Sequence, residues 1–386
     1  MEHSVKIVIG ANYGDEGKGL MSRYFAKQYI NDGRTPVTVF HNGSAQRGHT
    51  VDYEDGTRHV FHNFAAGSKD GSITYYDQTF MVHPMDFCRE LKTLGFRPIV
   101  YCNPDSIVVT PADMLADHII EDYIATRSGA REYGSCGYGT WSTTDRIKER
   151  PDLAYTVKDF AAGEYQKICS SINEWVVSRL RAFSVDLELI PHWKKYFESD
   201  SELIRNMWIH FHHDMKMFLG YVKFTSFKTV WSLFDSIIFE GAQGLLLDKD
   251  RDDIWTTTSK TGLYNPYMTL EENARDDFAA EVCYVSRSYV TRHGDGPLRN
   301  EVSKDKLGDV LSDQTNVFND FQGNLRYATL SKNDVAGAIA KDFNIIEQGP
   351  YYLTTAYTHC NESYVCGGDY SSYSPVDVCG NLRGAV

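Results

Sequence analysis

The segment that most constrains this chain is its first thirty residues. Val5-Lys6-Ile7-Val8-Ile9 is a short, mostly β-branched run stopped by Gly10, and it reads as a buried strand. A polar, glycine-rich turn follows from Ala11 to Gly19. Leu20, Met21, Tyr24 and Phe25 then recur at helical spacing, so a helix begins near Lys18. A second strand, Thr35 to Phe40, runs into another polar turn, His41 to Thr50. Strand-like runs return at Arg97 to Cys102, Ser236 to Phe239, Val282 to Val290 and Tyr351 to Thr355, with helical patterns at Ala112 to Thr126 and Asn333 to Lys341. Strands alternating with helices predict an α/β fold with a largely parallel central sheet flanked by helices. Ligands of such sheets gather beyond the carboxyl ends of the strands, where the polar motifs fall.

Composition narrows the class. The 386 residues are 42% hydrophobic and 13% aromatic, which suits a filled core and excludes disorder as the main state. From Tyr155 to Trp231 the pattern is helical and aromatic. With no repeat and no Pro/Ser-rich linker, the expectation is one domain over 1–386 with a helical excursion at about 155–235. A formal charge of −13 argues against a broad nucleic-acid surface. No apolar run approaches the ~18 residues of a membrane span, and the first residues lack the plan of a signal peptide. The eight cysteines are scattered without a CxxC pair, so reduced thiols and a cytoplasmic setting are expected, in the host cell if a phage encodes the chain. His359, Cys360, Cys366 and Cys379 fit no standard zinc spacing.

Gly14-Asp15-Glu16-Gly17-Lys18-Gly19 carries the first chemistry. Glycines let backbone approach a phosphate, a helix N-terminus offers unpaired N–H donors, and Lys18 adds a cation. It is not a Walker A loop, because Asn12 stands where the first glycine belongs and Gly19 replaces the magnesium-binding Ser/Thr. Two carboxylates in a phosphate loop make sense if one binds Mg²⁺ or removes a proton.

The loop resembles the signature of the adenylosuccinate synthetase family, and further motifs follow in that family's order. Asn42 to Thr50 is similar to GGNNAGHT, Gly134 to Gly139 to GTTGRG, Phe239 to Asp248 to FEGAQGxLLD, Thr258-Ser259 to TSS, and Val290 to Pro297 to STRVGAGP. Together they span positions 9 to about 330.

The resemblance implies a ligase for purine nucleotide biosynthesis. A nucleoside triphosphate phosphorylates O6 of a 6-oxopurine nucleotide, and the amino group of L-aspartate displaces that phosphate at C6. Asp15 would take the N1 proton and help bind Mg²⁺, the implied cofactor, with the Gly48 carbonyl as a further ligand. His49 would hydrogen-bond the migrating phosphoryl group. Gly14, Glu16, Gly17, Lys18, Gly19, Gly48, His49 and Thr50 would surround the donor phosphates. Asp15, Gln46, Gln243, Ser135, Cys136, Thr258 and a partner-subunit Arg150 would hold the acceptor nucleotide, with Cys136 acting through its backbone N–H. That use of Arg150 implies a homodimer. Gln322, Gly323, Asn324 and Arg326 would bind aspartate, and Asp15, Lys18, His49 and Gln243 would form the catalytic set.

Three departures bear on the substrates. The family reads GTP with the aspartate of a TKLD strand. Here the strand is Leu353-Thr354-Thr355-Ala356-Tyr357, and only about 30 residues follow in place of a long segment closing over guanine. An adenine donor, ATP or dATP, is the replacement, with Tyr357 as a stacking face. The aspartate loop GATTGRRRR is reduced to Asn319 to Arg326, where only Arg326 survives. Both changes resemble the short phage 2-aminoadenylosuccinate synthetases, which use dGMP. Asp15 opposes that reading, because those enzymes typically carry serine there and the IMP enzymes keep aspartate. The expectation is therefore dGMP or GMP as acceptor, with IMP as the alternative. A non-catalytic nucleotide-binding protein is the remote alternative. A metal hydrolase using His210, His212, His213 and Asp214 is set aside, because Trp208, Ile209 and Phe211 mark a half-buried helix.

Overall fold

Alternation along the first strand, β1 (His3–Gly10), sets the architecture. Val5, Ile7 and Ile9 join the core on one face and Val8 the core on the other, all fully buried. A strand covered on both faces belongs inside a parallel sheet. The computed structural model describes residues 3–129, 136–198, 201–250, 256–257, 259–274, 278–294, 296–307, 323–346, 349–358 and 364–367.

After β1 the chain runs through α1 (Lys18–Asn31), β2 (Val37–Phe40), β3 (His49–Asp52), β4 (Arg58–Phe61), β5 (Ile73–Tyr76), α2 (Pro84–Thr93) and β6 (Val100–Cys102). The helical part follows: α3 (Pro111–Ser128), α4 (Thr140–Glu149), α5 (Val157–Ala161), α6 (Tyr165–Ala182), α7 (Pro191–Lys194) and α8 (Glu202–Tyr221). The chain returns through β7 (Lys223–Phe224), α9 (Phe227–Leu233), β8 (Ser236–Gly244), α10 (Tyr264–Asn273) and β9 (Phe278–Arg287). It ends with β10 (Tyr289–Arg292), β11 (Glu301–Val302), β12 (Arg326–Thr329), α11 (Lys332–Phe343), β13 (Tyr351–Thr358) and β14 (Tyr364–Gly367).

One nine-stranded sheet has the order β14-β13-β9-β1-β8-β2-β5-β6-β7. The strands from β13 to β7 are parallel, and β14 pairs antiparallel at the edge. The predicted α/β class with a largely parallel sheet and flanking helices is what the chain adopts. A three-stranded antiparallel sheet, β10-β12-β11, and the β3–β4 hairpin stand apart from it.

The sequence reading errs at strand ends. The single strand expected from Val282 to Val290 is two: β9 stops at Arg287, and β10 belongs to the small sheet. The run expected from Arg97 narrows to Val100–Cys102, since Pro98 lacks the N–H a ladder needs. The helix carrying His210, His212, His213 and Asp214 is half buried as expected, through Trp208, Phe211, Met215 and Phe218.

A buried ion pair ties α3 to α4. Arg146 Nε donates to Asp113 Oδ1 at 2.9 Å and Nη2 to Oδ2 at 3.0 Å, with both side chains fully buried. One turn along α3, Asp117 accepts from the Ser142 N–H at 3.0 Å and the Ser142 hydroxyl at 2.5 Å. These contacts fix the start of α4 and with it the turn at Cys136–Gly139.

Burial pushes the Asp117 carboxyl up to about 7, against the pull of Ser142 and Arg179. A carboxyl whose folded value lies above its ordinary 3.8 loses stability as it ionises, so its contribution falls as pH rises from about 4 through 7. Asp117→Asn keeps an oxygen acceptor for Ser142 and removes the titration. It is expected to flatten the decline of Tm between about pH 4 and 7, gaining roughly 1–3 kcal/mol over the parent near pH 7. An unchanged pH profile of Tm would show that Asp117 is not the titrating group.

Candidate active site

The polar motifs converge because of where β8 inserts. The chain passes from β1 through α1 to β2, and β8 later fills the slot between those two strands, while β9 lies on the other side of β1. The strand order therefore reverses beside β1, and a crevice opens beyond the carboxyl ends. The turns after β1, β2, β8 and β9 all reach it.

The glycine loop after β1 is pinned on both flanks. The Ala11 N–H donates to the Val285 carbonyl of β9 at 2.8 Å, and the Leu246 N–H donates to the Asn12 carbonyl at 2.8 Å. Gly244 passes so close that a Cβ there would lie 2.3 Å from the Asn12 carbonyl oxygen. No side chain fits between these backbones.

Within the loop the two adjacent carboxylates part company. Glu16 turns inward and is buried. Its Oε1 accepts from the Gly14 N–H at 2.7 Å and the Asn12 N–H at 3.1 Å. Lys18, also buried, donates from Nζ to the Gly14 carbonyl at 2.6 Å and to Glu16 Oε2 at 3.4 Å. Glu16 thus uses loop donors that the sequence reading assigned to phosphate; it acts as a brace. Asp15 stays out of that network and is partly exposed. Its Oδ2 lies 3.7 Å from His293 Nε2, and Arg287 Nε donates to its backbone carbonyl. Gln243 sits over the same turn, its Oε1 3.1 Å from where a Cβ of Gly14 would be. Gly17, in the left-handed region at φ 89°, opens α1 without a side-chain cap among the described residues. A helix start of this kind offers its first-turn N–H groups and a positive dipole end to an anion.

His49 begins β3 and packs directly on that helix start: a Cβ at Gly19 would fall 2.7 Å from His49 Cβ. Its Nδ1 lies 2.6 Å from Glu240 Oε1, and Arg47 Nη2 donates to the same oxygen. Burial pushes Glu240 up, but the Arg47 charge and the hydrogen bonds from His49 and the Ala66 N–H outweigh it and hold the carboxyl below its ordinary value. Burial, then Arg47, push the His49 ring down to about 3, so it is neutral. Nδ1 stands between the acceptor Glu240 Oε1 and, at 2.8 Å, the donor Arg47 Nη2; with the Nη2–H directed to Oε1, a ring proton on Nδ1 makes the second donor to that oxygen. Nε2, buried and without a hydrogen-bond partner among the described residues, presents a lone pair. Donation from Nε2 to an anion needs a second proton, which the anion's own charge favours.

The remaining candidates divide. The Gln46 side chain is in the turn after β2, with Oε1 buried and unpartnered among the described residues. Asn42 ties that turn to β8, accepting from the Ala242 N–H at 2.9 Å and donating to the Lys260 carbonyl at 2.8 Å. Gly48 is exposed, and Thr50 faces Val60 in the β3–β4 hairpin. Cys136 opens a turn held by His118, whose Nε2 meets the Gly137 carbonyl at 2.9 Å. Burial pushes its thiol up to about 11, so it is neutral. Arg150 caps the far end of α4, some ten residues or about 15 Å from Gly139. It is exposed and bound to its own Asp152 at 2.8 and 2.6 Å, outside this chain's crevice. Ser135, Thr258 and Gln322 lie outside the described residues; Ser259 is docked on the segment after β8, its carbonyl accepting from the Lys249 N–H at 3.2 Å. Gly323 and Asn324 lead into β12, where Arg326 forks onto Glu301 at 2.8 and 2.5 Å and donates to the Gly294 and Gly296 carbonyls at 2.8 and 2.6 Å. The side chain of Tyr357 is outside the described residues.

Asp15 and the Gly48 carbonyl are hard oxygen donors on opposite turns. Such a set suits Mg²⁺, which takes few protein ligands and fills its octahedron with water and phosphate oxygens. Among the described residues no cluster of three or more His, Cys, Asp or Glu offers a metal cage. Sequence reasoning missed Arg47, Glu240, Arg287 and His293. A charged residue in an otherwise apolar strand was the available signal for Glu240 and Arg287.

Comparisons with known proteins place the sequence and the fold. The sequence profile described as adenylosuccinate synthetase matches residues 7–327. The chain is similar to adenylosuccinate synthetase of Shouchella clausii, 26% identical over 332 residues, covering 83% of this chain and 70% of that one. It is similarly 26% identical over 332 residues to that of Trichodesmium erythraeum, covering 83% and 69%. In fold it is similar to a fully ligated adenylosuccinate synthetase from Plasmodium falciparum (TM-score 0.66, 17% identity, 90% and 76% covered). It is also similar to the cyanophage S-2L succinoaminodeoxyadenylate synthetase bound to dGMP and dATP (TM-score 0.57, 17% identity, 92% and 85% covered). No described helix is long and apolar enough to cross a membrane.

The contact between Gly19 and His49 leaves no room for a methyl group. Gly19→Ala is expected to keep the far-ultraviolet circular dichroism of the parent and to weaken equilibrium binding of a nucleoside triphosphate at least about tenfold, or about 1.4 kcal/mol. Binding at parental strength would show that helix and hairpin separate freely.

Proposed function

The chain belongs to the adenylosuccinate synthetase family, a premise from which we propose that this ligase joins L-aspartate to C6 of dGMP or GMP, with ATP or dATP as phosphoryl donor. The observation that carries the mechanism is the split between the two loop carboxylates. Glu16 is occupied inside the loop, which leaves Asp15 as the partly exposed carboxylate outside that network.

Asp15 takes the N1 proton of the oxopurine, and O6, now the richer nucleophile, attacks the terminal phosphorus of the donor. Lys18 and the open N-terminus of α1 hold the donor phosphates, and His49 meets the migrating group through Nε2. Gln243, over Gly14, and Gln46 orient the base. The 136–139 turn receives the 5′-phosphate through backbone N–H groups, since the neutral Cys136 thiol adds no charge. The amino group of aspartate then attacks C6 and phosphate leaves with O6. Arg326 binds the aspartate carboxylate, which competes with Glu301 for the guanidinium fork. Bound Mg²⁺, held by Asp15 and the Gly48 carbonyl, supplies charge neutralisation for the transferred phosphate. Arg150, turned away from its own crevice, serves a neighbouring subunit.

The choice of a guanine acceptor and adenine donor rests on two separate losses, the guanine-reading carboxylate on β13 and the arginine run before Arg326. Asp15 itself favours the second reading, in which IMP is the acceptor.

Phosphate release should require L-aspartate. With aspartate present, assays of IMP, GMP, dIMP and dGMP against ATP, dATP and GTP should give the highest kcat/KM for a guanine acceptor with an adenine donor. Preference for IMP with GTP would reverse the assignment. Asp15→Asn should lower kcat by about 10³-fold while nucleotides still bind, and wild-type turnover in that variant would remove Asp15 as the base. Arg326→Leu should raise KM for aspartate more than about tenfold and leave nucleotide KM values within about threefold. Equal rises in all would make Arg326 a structural residue only.

A further inference from the structure

The Arg47 side chain is fully buried, and it reaches the Nδ1 side of His49, opposite the Nε2 that has no hydrogen-bond partner among the described residues. It stands two positions before His49, in the turn that leads into β3, and both side chains meet Glu240 of β8. Nη2 donates to Glu240 Oε1 and lies 2.8 Å from His49 Nδ1, while Nη1 donates to the Glu240 backbone carbonyl at 3.3 Å. The guanidinium lies 3.6 Å from the Phe40 ring centroid, a stacking contact that fixes its plane. The other Glu240 oxygen accepts from the Ala66 N–H at 3.4 Å. One carboxylate oxygen therefore serves two donors, and the orientation of the imidazole depends on where Arg47 holds that oxygen. Without the guanidinium, a wholly buried carboxylate would face only a neutral ring and the long Ala66 N–H contact, with no counter-charge, and be driven to turn or to recruit water. The corresponding turn of the family, GGNNAGHT, carries alanine at this position, which is too short to reach Glu240.

We propose that Arg47 is a positioning residue: it clamps Glu240 so that His49 holds Nε2 toward the mouth of α1. The role of His49 rests on the reading of its site given above, whereas the clamp itself is a property of the free protein.

A double-mutant cycle with Arg47→Met and His49→Asn tests the proposal. In the parent, Arg47→Met should lower kcat about 10²-fold with KM for the nucleoside triphosphate changed less than about threefold. In the His49→Asn background the same change should alter kcat less than about twofold. Equal losses in both backgrounds, or no loss in the parent, would overturn the proposal, because the effect would not pass through His49. Should Arg47→Met fail to fold, Arg47→Lys keeps the charge but not the fork. It should show a smaller loss in the parent and none in the His49→Asn background; a loss equal in both overturns the proposal. In the ligand-free protein, the ¹⁵N imidazole resonances of His49 should report one Nδ1-protonated ring in the parent and a changed tautomer balance in the Arg47 variant. Identical spectra would also overturn the clamp. If the parent shows no aspartate-dependent phosphate release, the proposed function fails while the spectra still decide the role of Arg47.

Discussion

The site is organised around carboxylates that have no access to water. A buried charge persists only where donors and counter-charges match it, and the two that matter here, Glu16 and Glu240, are matched from opposite sides of the crevice. Glu16 draws the N–H groups of Asn12 and Gly14 and the ammonium of Lys18 onto itself, which closes the glycine loop into one conformation. Glu240 draws Arg47 and His49 onto the middle of β8. Between them lie the start of α1 and the outward carboxylate of Asp15. Each buried acid thus fixes a neighbour assigned to the proposed reaction.

The sheet makes this possible by bringing distant turns side by side. Because β8 lies between β1 and β2, its last residues touch the turn after each: Gly244 presses on the Asn12 backbone, and Asn42 bonds the Ala242 N–H. β9 closes the third side through Ala11, Ser286 and Arg287. The contacts are backbone against backbone or short polar side chain, so the relative positions of the loops are set to within the tolerance of a hydrogen bond. A site for phosphoryl transfer gains from such rigidity, because its catalysis is largely positioning and charge stabilisation. The helical segment between α5 and α9 contributes a large aromatic core rather than crevice residues, with Trp175, Trp208, Phe211 and Phe218 packed under α2 and α3.

Most of the fold was legible in the chain because its signals are local. The run from Val5 to Ile9, the break at Gly10 and the periodicity after Lys18 specify strand, turn and helix without reference to anything distant. Errors came where a local pattern is shared by two structures. Val282 to Val290 reads as one strand, yet the chain leaves the main sheet after Arg287, a change that only the pairing of β10 with β12 reveals. The short strand Ile73–Tyr76 escaped notice because four residues carry too little periodicity to stand out.

For the site, sequence alone determined the family, the loops that meet in the crevice and the residue types available, because each motif is contiguous and its chemistry travels with it. It could not divide labour among those residues. Asp15 and Glu16 are neighbours of the same charge, and nothing local says which one the loop consumes; the dihedral angles of the folded turn decide it. Arg47 and Glu240 are 193 positions apart, and Arg326 grips Glu301 across the small sheet. Such pairings arise only when strand order brings separate turns within hydrogen-bonding reach, and strand order is a property of the packed sheet as a whole.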